Sequence, residues 1–351
     1  MTESGKHDIE IRDLYKIFGP EAGRHVQAVK DGLTKAELND RHNHVLGLQD
    51  INLTIPRGRI TVIMGLSGSG KSTLIRHING LIRPTSGQVL YDGQDVVTMT
   101  PAQLREFRRQ RTAMVFQKFA LLPHRTVLRN VAYGLDIRGV AEAEERARHW
   151  IGRVGLEGYE DYYPRQLSGG MQQRVGLARA LTNDAEILLM DEAFSALDPL
   201  IRMDMQAILL ELQQELRKTI IFITHDLDEA LRLGDKIAIL RDGAMEQVGN
   251  GQEIVLRPAN DYIADFVREV NRGRIIEART IATPLPEGGE LPGFTVKARS
   301  RLDLVARRMT KAGVSTAQVR EGDGTLAGVI DLPGILDAMV NPVEAAAQDE
   351  D

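Results

Sequence analysis

The chain has 351 residues, 42% hydrophobic and 26% charged, a globular balance with room for one sizeable domain and a smaller one. It has no cysteine, which excludes disulfides, thiolate metal sites and cysteine catalysis and suits a reducing compartment. The 44 Lys+Arg against 49 Asp+Glu leave a net charge of −5, which argues against broad nucleic-acid binding.

No apolar run reaches the ~18–20 residues of a membrane span. The opening Met-Thr-Glu-Ser-Gly-Lys lacks the apolar stretch of a secretory signal. Any role at a membrane is therefore expected to run through a docked partner.

In chain order, residues 8–18 predict a strand with Ile9, Ile11 and Leu14 inward. The polar stretch from Gly19 to Gly47 contains Thr34-Lys-Ala-Glu37, the spacing of a helix capping box. Leu48–Ile55 alternates as a strand, and Arg59–Met64 is almost continuously apolar. A glycine-rich loop, 65–70, precedes a helix whose Leu74, Ile75, Ile78, Leu81 and Ile82 share one face and which Pro84 should end. Residues 125–185 read as mostly helical, with Trp150 as core and Glu142/Arg146 and Glu144/Arg148 as i,i+4 pairs on a solvated face.

Two apolar strands, 186–191 and 219–224, flank a helix near 200–217. Apolar strands alternating with helices imply an α/β fold with a mainly parallel sheet covered on both faces. Pro and Gly in Thr280–Pro292 predict a linker over 271–293. A small α+β unit should follow at 294–340, with strands at 294–296, 316–320 and 326–330, helices at 302–312 and from Pro333, and an acidic tail, 341–351.

Gly65-Leu-Ser-Gly-Ser-Gly70-Lys71-Ser72 fits the phosphate-binding loop G-x-x-x-x-G-K-[ST]. Such a loop turns backbone N–H groups inward, and the next helix aims its positive end at the phosphates. Gly65, Ser67, Gly68, Ser69, Gly70 and Thr73 are thus candidates for binding ATP. Lys71 should reach the β- and γ-phosphates, and Ser72 should ligate Mg²⁺. Ile187–Glu192 is an apolar strand ending in two acids. Asp191 is placed to hold Mg²⁺ and Glu192 to polarise the attacking water.

Leu167-Ser-Gly-Gly-Met-Gln-Gln-Arg-Val-Gly-Leu-Ala-Arg-Ala-Leu181 resembles the signature of the ABC ATPases, LSGGQ, with Met171 where Gln is commonest. The resemblance spans residues 8–270 and implies a P-loop NTPase cassette whose helical subdomain lies at about 125–185. It implies that Ser168, Gly169 and Gly170 close on ATP held by a second copy, so that two ATPs lie between two chains. Gln117 matches the Q-loop residue that senses Mg²⁺ and the γ-phosphate, Ser195–Asp198 the D-loop, and His225 the switch histidine. Phe18 matches the aromatic that stacks on adenine, with Tyr15 as a neighbouring alternative.

Segments 64–72 and 114–124, with the long connection 19–47, resemble the quaternary-amine importers. That implies a peripheral subunit at the cytoplasmic face of the inner membrane, docked on a permease and served indirectly by a substrate-binding protein. The cargo is then choline or glycine betaine/proline betaine, with a slight lean to choline. The C-terminal unit resembles a single degenerate CBS module, read evenly as a regulator or a packing tail. Phe119, Leu121 and Leu122 are candidates for a permease groove or for core. Competing readings are an importer of another osmolyte or amino acid, a soluble ABC protein of ribosomes or DNA, and a nucleotide sensor without turnover.

Overall fold

The computed structural model describes residues 9–117, 119–285 and 289–340; the expected acidic tail lies outside them. β1 (Ile9–Phe18) buries Ile9, Ile11 and Leu14 as its pattern predicts. The polar stretch after it holds two short helices, α1 (Val26–Lys30) and α2 (Lys35–His42). The capping box of Thr34 and Glu37 starts α2. β2 (Val45–Ile55) returns antiparallel beside β1, with Phe18 opposite Val45 and Ile17 opposite Leu46. Val29 and Leu38 of the inserted helices cover Tyr15, Ile17 and Leu46.

β3 (Ile60–Met64), buried at every residue, leads into α3 (Lys71–Ile78). The helix is shorter than predicted. Gly80, at φ 63°, donates its N–H to the His77 carbonyl and turns the chain out of the helix. Asn79-Gly80, not Pro84, therefore sets the end, and Leu81 is exposed instead of sharing the buried face. β4 (Ser86–Tyr91) and β5 (Gln94–Asp95) complete an antiparallel sheet in the order β2-β1-β4-β5.

α4 (Pro101–Gln110) precedes β6 (Thr112–Val115). Three helices follow: α5 (Val127–Arg138), α6 (Ala143–Arg153) with Trp150 buried, and α7 (Gly169–Thr182). Glu144 pairs across to Arg129 of α5 at 2.8 Å, because the helices pack side by side, and not with Arg148 as its spacing suggested.

The chain then alternates through β7 (Ile187–Asp191), α8 (Pro199–Leu216), β8 (Thr219–Thr224), α9 (Leu227–Leu233), β9 (Lys236–Arg241) and β10 (Ala244–Gly249). The second sheet runs β10-β9-β3-β8-β7-β6. Its pairs from β9 to β6 are parallel. Helix-covered parallel strands have no wet face, so β3, β7 and β8 are apolar along nearly their whole length. Parallel register also brings strand ends level. Met64 lies opposite Thr224, and Asp191 opposite Ile223, so the residues that follow emerge at one edge.

A second compact unit begins at Gly249, earlier than the boundary at 270 that the sequence suggested. It comprises α10 (Gly251–Leu256), α11 (Asp261–Val267), α12 (Ala278–Ile281), β11 (Thr295–Lys297), α13 (Leu302–Ala312), β12 (Thr316–Arg320), β13 (Leu326–Asp331) and α14 (Leu332–Val340). β11 runs parallel and β13 antiparallel to β12. The expected linker is partly core: Ile276 and Ala278 are buried with Val296, Leu302, Val305 and Ile335. Thr283 bridges to Val329.

Candidate nucleotide-binding and hydrolytic site

The loop between β3 and α3 turns through glycines in the left-handed region, Gly65 at φ 148°, Gly68 at 81° and Gly70 at 104°. At Gly65 even a methyl group is excluded, since a Cβ would stand 2.2 Å from the Leu240 carbonyl. Lys71 begins α3, and its buried Nζ donates to the carbonyls of Gly65 at 2.8 Å and Leu66 at 3.0 Å. Burial lowers the Lys71 pKa, opposed by the carboxylates of Glu192 and Asp191. Ser69 is buried with an unpartnered hydroxyl. Thr73, one turn in, accepts from the His77 ring through its carbonyl at 2.7 Å. A cradle of this shape, with a cation and an orphaned donor, fits a polyphosphate.

The Ser72 hydroxyl donates to Asp191 Oδ1 at 2.9 Å. Burial raises the Asp191 pKa, while the Ser72 hydrogen bond and the Arg76 charge oppose it. Two hard oxygen donors side by side suit Mg²⁺, which takes few protein ligands and keeps several waters. Gln117 lies elsewhere: its Nε2 donates to Glu192 Oε2 at 3.0 Å and approaches Ser195 Oγ at 3.5 Å.

Glu192 is where the candidate groups converge. Its Oε1 is 3.8 Å from Lys71 Nζ and 3.8 Å from His225 Nδ1. Its backbone is left-handed, φ 47°, a conformation that costs a non-glycine residue about 1–3 kcal/mol and must be held by its surroundings. The holding bonds are the Glu192 N–H to the Ile223 carbonyl of β8 at 3.2 Å and Ser195 Oγ to the Glu192 carbonyl at 2.9 Å.

Residues 48–195 match the family of ABC transporters. The glycine betaine/proline betaine transport system ATP-binding protein ProV of Salmonella typhimurium is 47% identical over 348 residues, covering 94% of this chain and 87% of that protein. This chain is an ATP-binding subunit of the ABC transporter family. The trimethylamine N-oxide transport system ATP-binding protein TmoW of Ruegeria pomeroyi is 43% identical over 342 residues, covering 97% of this chain and 99% of that one. Among solved structures, the dimeric bacterial ABC transporter cassette MJ0796 is similar with a TM-score of 0.59 and 32% identity, over 69% of this chain and 98% of that one. The chain is accordingly an ATPase cassette that binds ATP.

In this ABC cassette the signature residues head α7. Ser168 caps it, accepting from the Met171 N–H at 3.3 Å, so that Gly169 and Gly170 form its first turn. Among the described residues no hydrogen bond links them to the phosphate loop of the same chain. Phe18 ends β1 as a 40% exposed residue with the Lys16 ammonium 4.9 Å from its ring centroid, whereas Tyr15 is buried with Val29 and Leu38 of the inserted helices.

Two supporting residues were not picked out from the sequence. Glu229, buried on α9, accepts from Thr224 Oγ1 at 2.6 Å and from Gln206 Nε2 of α8 at 3.0 Å. Thr224 Oγ1 in turn accepts the Asp226 N–H at 3.0 Å, which fixes the backbone on both sides of His225. Burial raises the Glu229 pKa. Arg179 of α7 donates to the carbonyls of Ala120 at 2.7 Å and Phe119 at 3.1 Å. Those two residues have left-handed backbones, φ 48° and 56°. The signal in both cases was helical position: Glu229 stands four residues past His225, and Arg179 lies on the signature helix.

Proposed function

We propose that the chain energises import of a small methylated amine through a membrane permease, hydrolysing MgATP at two sites shared between two copies. The convergence of Lys71, Gln117 and His225 on Glu192, beside the Ser72–Asp191 pair, carries this reading. The loop N–H groups and Lys71 hold the phosphates. Ser72 and Asp191 would hold Mg²⁺, which neutralises phosphate charge when bound, while Gln117 stays on Glu192. Glu192 orients a water for in-line attack on the γ-phosphorus; a new P–O bond forms, and the bond to the ADP oxygen breaks. His225 steadies the γ-phosphate. Ser168, Gly169 and Gly170 of the second copy close the site with the N-terminal end of their helix. Phe18 stacks on adenine.

The named cargoes of the relatives are glycine betaine, proline betaine and trimethylamine N-oxide. All pair a methylated cationic nitrogen with a nearby negative oxygen. That chemistry favours a zwitterion over choline, the cargo to which the sequence leaned. The cassette would sit peripherally at the cytoplasmic face of the cell membrane. The test is uptake by the reconstituted permease complex: betaine and trimethylamine N-oxide should compete for uptake better than choline, and choline as the preferred competitor would reverse the assignment.

The C-terminal unit reads as a single CBS-like regulatory module, on the strength of its small three-stranded sheet flanked by helices. Removing it should leave basal ATPase intact and alter the salt response of transport. An identical salt response would remove the regulatory role.

A further inference from the structure

Among the described residues, the loop from Gln117 to Thr126 belongs to no helix or strand, yet it carries the glutamine that meets Glu192. Without a ladder of backbone bonds, its course depends on side chains. At the far end the holding group is Asn130 of α5, which is fully buried. It accepts from the Leu122 N–H at 2.7 Å and donates to the carbonyls of Leu122 at 3.1 Å and Arg125 at 3.0 Å. At the near end, beside Gln117, the holding group is Arg179 of α7.

Phe119 and Ala120 both have left-handed backbones, which residues other than glycine keep only when their surroundings impose it. The Arg179 fork spans their carbonyls, Nη1 to Ala120 at 2.7 Å and Nη2 to Phe119 at 3.1 Å. Burial lowers the Arg179 pKa, and among the described residues no carboxylate opposes that shift. The guanidinium is thus spent on the shape of two strained peptides and not on a counter-charge. Phe119 also lies along α7. A Cβ on Gly169 would stand 3.8 Å from its ring, and one on Gly176 3.8 Å from its carbonyl. Gly169, Gly176 and Arg179, spaced by seven and three residues, share one face of the helix. The Phe119 N–H donates to the Phe116 carbonyl at 3.2 Å, which turns the chain at Gln117. The Gln117 amide then reaches Glu192 Oε2 at 3.0 Å.

We propose that Arg179 is a positioning residue for hydrolysis: by fixing the turn at Phe119 and Ala120 against α7, it holds the Gln117 amide on Glu192. The amide takes up one carboxylate oxygen and so limits the directions in which Glu192 can face an attacking water. The helix headed by Ser168 therefore also sets the aim of the acid in its own chain. The proposal rests on the hydrolytic-site reading above, and its test separates the two.

Steady-state ATPase kinetics of the full chain, with calorimetric titration of MgATP, test it through a double-mutant cycle with Gln117→Ala. Arg179→Met is similar in length but has no donor; it should lower kcat about tenfold and leave ATP affinity within about twofold of the wild type. Arg179→Lys keeps a charged donor and should lose less. In the Gln117→Ala background neither substitution should lower kcat further, because the group that Arg179 positions is gone. Wild-type kcat in both Arg179 variants overturns the proposal. So do losses that multiply in the double variants, or a matching loss of ATP affinity, either of which would make Arg179 a residue of the fold alone. Wild-type kcat in Gln117→Ala would instead overturn the reading of the hydrolytic site.

Discussion

The six-stranded sheet of the first unit and the three-stranded sheet of the second use their strands differently. In the first, parallel strands buried on both faces end level, and three of those ends deliver parts of the candidate site: the glycine loop from Gly65 after β3, Asp191 and Glu192 at β7, His225 after β8. In the second, β11 and β13 bury Val296 and Ile330 between exposed or half-buried neighbours, while the central β12 buries Ala317, Gln318 and Val319 in a row. The difference shows where chemistry can be read from a chain. A covered parallel sheet has only its ends free for function, whereas a small half-covered sheet spends its pattern on packing.

The contrast is sharpened by perturbing each region. Lys71→Ala leaves the buried cradle without its cation and should weaken ATP binding about a thousandfold, as measured by calorimetry. Ile335→Ala in the second unit should cost about 2–4 kcal/mol by cavity creation, seen as an earlier thermal transition. Basal ATPase should remain as in the wild type; a matching loss of ATPase would join regions that the comparison separates.

Glu229→Gln should lower kcat about tenfold with little change in KM for ATP, since it loosens the turn at His225 without touching the phosphate loop. It should also change the pH dependence of stability. Burial raises the Glu229 pKa above its ordinary value of 4.5, so the native state binds this proton more tightly than the unfolded chain. That contribution is fully present below 4.5 and is lost as pH rises through the raised native value. The variant should therefore lose less stability than the wild type over this window, and parallel melting curves would contradict the assignment. Smallest of all, Arg129→Ala removes a half-exposed ion pair to Glu144 and should cost no more than about 1 kcal/mol.

The sequence was most informative where residue type is dictated by backbone or charge. The glycine turns, Lys71, the Asp191-Glu192 pair and the apolar strands could all be read directly, as could the capping box at Thr34. It was less informative where spacing competes with tertiary contact. Leu81 fits the helical period, yet Asn79-Gly80 ends the helix first. Glu144 has a partner at i+4, yet Arg129 on the neighbouring helix takes it. Ile276 and Ala278 look like linker, yet the second core needs them. The short strands β4, β5 and β6 and the half-buried β10 carried too little pattern to be picked out. The meeting of Gln117, Lys71 and His225 at Glu192 depends on residues far apart in sequence.

The central claim is that Glu192 drives hydrolysis at a site completed by a second chain. Sedimentation of Glu192→Gln with MgATP, alongside its ATPase rate, tests it most directly. The account predicts an ATP-dependent dimer holding one ATP per chain and turning over at least about a hundredfold more slowly than the wild type. A variant that binds ATP yet stays monomeric, or that keeps wild-type turnover, would contradict it.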